Sequence, residues 1–587
     1  MFLALACLVL SQIISTIPSA SASILQPHSP IKIAGNSAFT AANGVVGGNG
    51  SPSNPFVIQG WDIDASSTNG IDLRNTNSSF IIRNVSVHST NHLYDGVYLN
   101  NSQSGRLENS TSSGNSLGAF VGYSTNITIV KNNLSYNGNS SFLVAQAGLL
   151  VSWSSNITIT GNTASYEYAG IGVGTSKRVV ISNNTAYYDM YGITSASGLA
   201  CCLQSTIYNN ALSHDYYGIE VGYAVSTISN NTLTGNRYGI WLYSSSGNYV
   251  SHNTIIGNIW GLNVDFNDLN EQILANNFTN NEYGVYFQER SCCSNIAGNR
   301  FESNTASAIE FDTLESACNV TDNYFLSNGK GIEAVYNSSN HNIVGNGFYY
   351  NGVGVALVQS SVGSHVYDNT FYGNNIQASD DSGGPFNYWN TTYPQGGNYW
   401  SDYTGVDRCS GPQQNICNAP DGIGDTPHFI TAYEKDNYPL MKLRDSTAPS
   451  WPAWAVLSVS RIKPTNATLT WPKAGDDTAV MAYKLYQNNT LLTTLSRTDT
   501  SYVVTSMSPN TAYKFELKAE DVSGNWTQTG LSATFTTPPQ PPAPTNPNAL
   551  LSLLPILAGI AAIVVVCVTI VIRQEKRRRK KLVAAPA

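Results

Sequence analysis

Two glutamates in the middle of the chain could perform acid–base chemistry. Glu310 and Glu333 occupy the same outward position of consecutive sequence repeats, and Asp312 lies two residues beyond Glu310. Two carboxylates about 5 Å apart raise one of their pKa values, which general acid–base catalysis can use. The same oxygens could bind Ca²⁺. The simpler interpretation is that these glutamates are exposed to solvent on the strand face. The nearby Lys330, which would offset their charge, favours it. The three acids are therefore catalytic candidates without a supporting Arg or His motif.

An aromatic residue precedes the glycine of five consecutive repeats: Tyr191, Tyr217, Tyr238, Trp260 and Tyr283. Flat rings in a row could stack on a polysaccharide, so these residues are the predicted glycan-binding site. A structural ladder that covers the turn is the alternative. The sequence leaves both interpretations open.

Candidate metal ligands are sparse. Asp407, Asp421 and Asp425 could bind calcium, although their spacing is not that of an EF-hand loop, and a purely structural role is the alternative. Copper prefers clusters of His, Met and Cys. The chain has only His 8 and Met 5, without ligand spacing. We predict no cofactor, and calcium is the one ion that the sequence leaves open.

Cysteines are expected to form disulfides if this part of the chain lies outside the cell. Cys409 and Cys417 are the best predicted pair because they close a short loop. Cys293 and Cys318 form the second predicted pair because adjacent repeats bring them within reach. Partners for Cys201, Cys202 and Cys292 stay open, and the odd number of exterior cysteines leaves one thiol unpaired.

A repeat of about 23 residues positions all of these side chains. Each unit carries an Asn, followed eight residues later by Gly and alternating aliphatic residues. The spacing fits one coil of a parallel β-helix with three short strands, and the chain holds about fourteen coils. Stacked Asn side chains can bond from coil to coil. The predicted ladder comprises Asn84, Asn109, Asn132, Asn162, Asn184, Asn210, Asn231, Asn253, Asn276, Asn299, Asn323, Asn346 and Asn369.

The repeat is followed by the sequences GGNYWSDY at 396–403, DGIGDTP at 421–427 and DNYPLM at 436–441. Together these resemble the NosD-like right-handed β-helix family. The resemblance implies a β-helix over 23–395 with a C-terminal cap over 396–443. It also implies a kinship with carbohydrate-binding and sugar-hydrolase β-helices, and its namesake helps to assemble a copper site.

Residues 446–537 resemble a fibronectin type III sandwich, with Tyr513 in the tyrosine-corner position. The fold class expected for the whole chain is therefore all-β, with a β-helix, a β-sandwich and one C-terminal transmembrane helix.

The sequences at both ends of the chain predict that the protein is targeted to a membrane. Residues 1–22 read as a signal peptide, 538–548 as a Pro-rich linker and 549–572 as a transmembrane helix. The basic tail at 573–587 predicts a cytoplasmic C-terminus, and hence a single-pass cell-membrane protein whose N-terminus lies outside. The net charge of −8 argues against nucleic acid as a partner.

The expected role is that of an archaeal-type cell-surface protein without enzymatic activity. It would bind a surface glycan or a neighbouring envelope protein, or serve in adhesion. A polysaccharide lyase, hydrolase or epimerase acting on the β-helix face is the alternative. Predicted glycosylation sites are Asn126, Asn139, Asn390, Asn466, Asn488 and Asn525.

Overall fold

The computed structural model describes residues 25–541, apart from 139–145, 197–203, 384–385, 444, 446 and 477. The chain divides between residues 445 and 446 into two compact units. The first is a parallel β-helix and the second a β-sandwich. Only two short 3-10 helices, Asn36–Ala38 and Ala41–Asn43, occur among the described residues.

Each coil of the β-helix contributes one strand to each of three sheets. The first sheet carries the residues that follow the repeat glycine. Its strands are Ile31–Ala34, Ile71–Thr76, Val97–Glu108, Leu117–Gly122, Ala147–Ser152, Ala169–Gly174, Tyr191–Ala196, Tyr217–Gly222, Tyr238–Tyr243, Trp260–Asp265, Tyr283–Phe287, Ser307–Phe311, Lys330–Ala334, Val353–Leu357 and Ile376–Asp380.

The second sheet follows the first along every coil, and the long strand Val97–Glu108 enters both. Its other strands are Val45–Gly47, Phe56–Gln59, Phe80–Arg83, Thr125–Val130, Ser155–Thr160, Lys177–Ser182, Gln204–Tyr208, Val225–Ser229, Tyr249–Ser251, Gln272–Leu274, Asn295–Ala297, Asn319–Thr321, Asn342–Val344 and His365–Tyr367. All of them pair in parallel except Val45–Gly47, which is antiparallel to Phe56–Gln59.

The third sheet completes the coil. Its strands are Gln26–Pro27, Trp61–Asp64, Ser86–His88, Thr111–Ser113, Thr185–Tyr187, Ala211–Ser213, Thr232–Thr234, Thr254–Ile256, Asn277–Thr279, Arg300–Glu302, Tyr324–Leu326, Gly347–Tyr349, Thr370–Tyr372 and Tyr399–Trp400. An antiparallel pair, His428–Phe429 with Lys435–Asp436, belongs to the C-terminal cap.

The interior is filled by columns of identical or similar side chains. The predicted aliphatic column of the first sheet is confirmed, because Ile240, Leu262 and Val285 are fully buried. On the third sheet, aromatic rings stack from coil to coil at 4.3–5.0 Å between centroids, through Phe278, Phe301, Phe325, Phe348, Phe371 and Trp400. Burial of these columns is the main source of stability for the rod.

The Asn ladder lies at the corner between the second and third sheets. The Asn253 main-chain N–H donates to Asn276 Oδ1 at 2.9 Å, and its side-chain amide donates to Ile228 O at 2.9 Å. The same pattern runs from Asn132 to Asn398. The first two predicted members are wrong: Asn84 and Asn109 are exposed, with φ of 49° and 47°.

The ladder position next to Asn109 is Ser110, whose main-chain N–H donates to Asn132 Oδ1 at 3.0 Å. Ser110 Oγ in turn accepts the N–H of Val85 at 3.2 Å. In these first coils the sequence pattern was therefore aligned one residue too early.

A second ladder, which the sequence analysis missed, lies at the corner between the third and first sheets. Asn236, Asn258 and Asn281 each accept the main-chain N–H of the preceding ladder residue at 2.8–2.9 Å. Three successive coils carry acids at this position instead of Asn: Glu167, Asp189 and Asp215.

The second unit is a sandwich of two antiparallel sheets. One contains Ser458–Ser460, Ala467–Thr470 and Ser501–Val504, and the other contains Thr490–Ser496, Val480–Gln487, Ala512–Asp521 and Leu531–Thr536. Trp471, Tyr483 and Phe515 lie in the core. The Tyr513 hydroxyl accepts the Ser508 N–H at 2.8 Å, which is the geometry of a tyrosine corner.

The predicted terminal segments lie outside the described residues: the signal peptide at 1–22, most of the linker at 538–548, the membrane helix at 549–572 and the tail at 573–587. Within the described part of the chain, no helix is long and apolar enough to cross a membrane.

Candidate functional site

The outer face of the first sheet carries both predicted sites. The repeat glycine fixes the direction of the preceding side chain, because adjacent coils approach closely at this point. A Cβ on Gly239 would lie 2.4 Å from the carbonyl oxygen of Gly261. Glycine is therefore favoured at this position, although Ala308 and Gln377 occupy it in two coils. In the five coils from Tyr191 to Tyr283 the residue before the glycine is a half-buried aromatic ring.

The five predicted aromatic residues form one continuous column. Centroid distances from Tyr191 to Tyr217, Tyr238, Trp260 and Tyr283 are 4.9, 4.9, 4.5 and 6.4 Å in turn, with interplanar angles of 9–20°. Each ring is half-buried. The rings thus cover one another's faces and present their edges and hydroxyl groups outward.

The parallel stack ends at Tyr283, because the next residue of the column is Ser307. Tyr286 contacts Tyr283 edge-on, with the centroids 5.1 Å apart. The Tyr283 face on the Ser307 side therefore has no stacked ring in its column. From the sequence, Tyr283 was identified as one of the five rings but not as the end of the stack, and Ser307, which follows from the register of the column, was not identified.

The three acidic candidates lie immediately beyond Tyr283. Glu310 and Glu333 are register partners on neighbouring strands, as the repeat predicts. The Lys330 ammonium contacts the Glu333 carboxylate, and Ser307 Oγ donates to Glu333 Oε2 at 3.1 Å. Asp312 follows the strand end and accepts a hydrogen bond of 2.7 Å from the Tyr286 hydroxyl.

Burial raises the pKa of Glu310 to about 7, and the neighbouring Glu333 adds to this shift. Ser307 and Lys330 act in the opposite direction. A carboxyl with a pKa near 7 can both donate and accept a proton at neutral pH. This part of the sheet therefore combines the Glu310 carboxyl with its raised pKa, the Glu333 carboxylate, the Lys330 ammonium and the Tyr283 ring.

The cap aspartates serve mainly as acceptors for main-chain N–H groups. Asp425 accepts from Arg408 and Cys409, and Asp407 accepts from Gly422 at 2.8 Å. Asp421 accepts the Ile423 N–H at 3.0 Å. Within the described residues, these carboxylates do not converge as three ligand atoms within 4.8 Å.

The two predicted disulfides have different outcomes. Cys409 and Cys417 are bonded. Cys293 and Cys318 are both free thiols, so this predicted pair is not present. The reason is geometric: Cys318 is fully buried inside its coil, whereas Cys293 is exposed at the corner. Cys201 and Cys202 lie outside the described residues.

The predicted glycosylation sites differ in exposure. Asn126 and Asn488 are exposed, whereas Asn390, Asn466 and Asn525 are partly buried. Asn139 lies outside the described residues. The occupancy of these sites stays a prediction.

Comparison with known families now identifies the fold. The model of the "Periplasmic copper-binding protein (NosD)" family matches residues 30–214, 198–312 and 268–405. The chain belongs to the NosD family. A fibronectin type III domain matches residues 450–534.

Curated relatives share only part of this NosD-family chain. Chitinase Chi52 of Paenibacillus xylanexedens is 37% identical over 93 residues, 16% of this chain and 17% of that protein. Chitinase D of Niallia circulans is 36% identical over 122 residues, 19% of this chain and 23% of that protein. The chain thus spans less than a quarter of the length of either relative. The solved structure of FN3tt is 23% identical, with a TM-score of 0.14, and covers 16% of this chain and all (100%) of its own.

The family description names copper, so the histidines of this chain are the first candidate copper ligands. The most buried histidine, His341, packs on Phe311 with centroids 4.1 Å apart, and neither of its ring nitrogens has a hydrogen-bond partner. His428 stacks on Trp400 in the same way. Among the described residues, no histidine belongs to a group of three His, Cys, Asp or Glu ligand atoms within 4.8 Å. The side chains do not fit the clustered soft ligands that copper prefers.

Proposed function

We propose that this NosD-family protein is a non-enzymatic cell-surface protein that binds glycan on the outer face of its first sheet. The observation that carries the proposal is the end of the aromatic column at Tyr283, beside Ser307, Glu310 and Glu333. A half-exposed aromatic ring without a stacked partner beyond it, next to polar groups, is a typical arrangement for holding a sugar ring. The chitinases among the partial relatives support a carbohydrate-related role.

In this proposal the sugar packs its C–H face on Tyr283 and lies over Ser307. Its hydroxyl groups would hydrogen-bond to the carboxylates of Glu310 and Glu333 and to the Lys330 ammonium. The other four rings continue the stack behind Tyr283, and their faces cover one another rather than the sugar. The site is thus centred on Tyr283, at the end of the column.

Binding of the full-length protein to a polysaccharide array, followed by titration of the best ligand, tests the proposal. Tyr283→Ala should lower affinity about 2- to 10-fold, since a stacked aromatic contact contributes about 0.5–1.5 kcal/mol. Tyr217→Ala is the matched control, because both faces of Tyr217 are covered by Tyr191 and Tyr238. It should lower the melting temperature yet leave affinity unchanged. Loss of binding in Tyr217→Ala but not in Tyr283→Ala would contradict this site.

Anchoring at the cell membrane is part of the same proposal. The apolar run at 549–572 and the basic residues at 573–587 support a single span with the β-helix outside. Protease added to intact cells should cut within the Pro-rich segment 538–548 and release both folded units into the medium. Recovery of the uncut chain from the cytoplasm would overturn this orientation.

A polysaccharide-cleaving or epimerising activity at the same acids is the second candidate. The observation that favours it is the pKa of Glu310, raised to about 7 beside Glu333. A screen with uronate polymers and chitin would then show turnover that Glu310→Gln abolishes. Glu302→Gln, on the third sheet, is the control and should retain activity. Binding without turnover in the unmodified protein would exclude this candidate.

A further inference from the structure

Two cysteine sulfurs meet at the corner between the first and second sheets. Cys292 Sγ and Cys293 Sγ lie 2.7 Å apart, on the segment that joins Tyr283–Phe287 to Asn295–Ala297. A disulfide bond measures about 2.0 Å, and two sulfurs that are not bonded normally stay much farther apart than 2.7 Å. From this approach we propose that Cys292 and Cys293 are a modification site, where oxidation closes a vicinal disulfide between neighbouring residues.

The neighbouring coils hold the two residues in this arrangement. The Cys292 N–H donates to Asp268 O at 3.1 Å, and the Cys293 N–H donates to Ser316 O at 3.1 Å. The Cys292 carbonyl accepts the Asn270 N–H, also at 3.1 Å. Cys293 has a φ of 63°, a left-handed conformation that non-glycine residues rarely adopt. The backbone is thus fixed on both sides, and the sulfurs are brought together by the fold.

The other described cysteines do not compete for this bond. Cys409 and Cys417 are already joined to each other. Cys318 is fully buried, and its thiol points to Ser316 O at 3.7 Å. Among the cysteines that the structure describes, the vicinal pair is therefore the one arrangement that uses both Cys292 and Cys293 without moving a coil.

The difference in exposure between the two thiols determines which of them reacts first. Cys293 is exposed and Cys292 is half-buried, and burial raises the pKa of the Cys292 thiol to about 11. The nucleophile is the thiolate, so an external disulfide meets Cys293 first. Attack of the Cys293 thiolate breaks the external S–S bond, forms a mixed disulfide at Cys293 and releases one thiolate.

Cys292 completes the exchange. Its thiol passes a proton to solvent, and its sulfur attacks Cys293 Sγ, which displaces the second external thiolate. The two protein thiols lose two electrons and two protons in total, and the external disulfide becomes two thiols. The product is a compact ring at the corner with no free thiol, and a thiol reductant can reopen it. This site is independent of the proposed glycan function.

Thiol mapping of the full-length protein tests the proposal. The protein is reduced, freed of reductant, treated with cystine and alkylated in denaturant, and its peptides are weighed. We expect the peptide with residues 292–293 to go from two alkylated cysteines to none and to weigh two hydrogen atoms less than its reduced form. Renewed reduction should restore both labels. Full labelling of both cysteines after cystine treatment would overturn the proposal, and so would a stable cysteine adduct on Cys293.

Two variants separate this bond from its alternatives. Cys318→Ser removes the buried thiol and should leave the 292–293 peptide fully protected from alkylation. Cys293→Ser should leave Cys292 as a free thiol that is alkylated in denaturant before and after cystine. Loss of protection in Cys318→Ser would show that Cys318 is a partner and contradict the vicinal bond. Melting curves of both variants confirm that the β-helix is intact.

Discussion

A single asparagine of the ladder between the second and third sheets joins three coils. Asn253 donates to Ile228 O and to Asn276 Oδ1, and its own Oδ1 accepts the Asn231 N–H at 2.9 Å. Replacement by Leu removes the hydrogen bonds that the Asn253 side chain makes with the buried Asn231 N–H and Ile228 O, whereas Asn276 Oδ1 keeps the main-chain N–H of residue 253. We therefore expect Asn253→Leu to lower the free energy of unfolding of the β-helix by about 1–3 kcal/mol. Chemical denaturation followed by circular dichroism measures this change.

A substitution on the other unit is the control for this ladder prediction. Asn488 lies in the sandwich, where its Oδ1 accepts the Lys514 N–H at 2.9 Å. Asn488→Leu should leave the β-helix transition unchanged. Equal, negligible effects of both changes on the β-helix would show that the ladder hydrogen bonds contribute little to stability.

Most members of the first ladder could be predicted from the sequence, because Asn recurs in it at a nearly constant interval of about 23 residues. The second ladder was equally visible, since Asn236, Asn258 and Asn281 each follow a member of the first by five residues. This ladder was missed as a whole in the sequence, and in three successive coils an Asn pattern would not have revealed it, because Glu167, Asp189 and Asp215 occupy the column. The vicinal approach of Cys292 and Cys293 could not be predicted, because it depends on the left-handed φ of Cys293.

At the scale of the element, the sequence placed the aromatic residues in one column but could not give their ring angles. Side-chain spacing along a strand column follows from the coil repeat, whereas stacking depends on rotamers and on the neighbouring rings. The interplanar angles of 9–20° show that the inner rings cover one another's faces. Of the two terminal rings, Tyr191 packs against the cluster of Leu117, Ala147 and Ala169, which leaves Tyr283 as the candidate.

The acidic segment of the second ladder gives a prediction at the same scale. Asp189 accepts the Glu167 N–H through Oδ1, but its buried Oδ2 has no partner. Burial, followed by the neighbouring Asp215, raises the pKa of Asp189 to about 10. Folding must therefore keep this carboxyl protonated at neutral pH. We expect Asp189→Asn to stabilise the β-helix at pH 7 and to have little effect near pH 3, where both states are protonated.

The reverse change is the matched control for the acidic segment. Asn258 donates its side-chain N–H to Leu233 O at 3.2 Å in the same column. Asn258→Asp should destabilise the protein at pH 7 and do so much less near pH 3. Melting temperatures at both pH values measure the two effects. An Asp189→Asn gain that is equal at pH 3 and pH 7 would mean that ionisation is not its cause.

For the whole molecule, the order of units followed from composition and repeats alone. The β-helix and the sandwich were both predicted, because a 23-residue period and the tyrosine corner are local signals. The sequence did not predict that acidic side chains are buried inside the β-helix with raised pKa values. Six carboxyl groups at two corners are buried and have raised pKa values: Glu167, Asp189, Asp215, Asp268, Glu271 and Glu315.

These acids predict that the β-helix is most stable in mild acid. A raised folded-state pKa contributes stability that is fully present below the unfolded value of about 4. That stability declines as the pH rises, until each folded group ionises, from about 7 for Asp215 to about 10 for Asp189. His341, whose pKa burial lowers to about 3, acts in the opposite direction below about pH 6.5. Because these acids outnumber the two histidines whose pKa burial lowers, His341 and His428, the melting temperature of the β-helix should be higher at pH 5 than at pH 8. A melting temperature that instead rises from pH 5 to pH 8 would mean that these carboxyls are charged and paired in the folded rod.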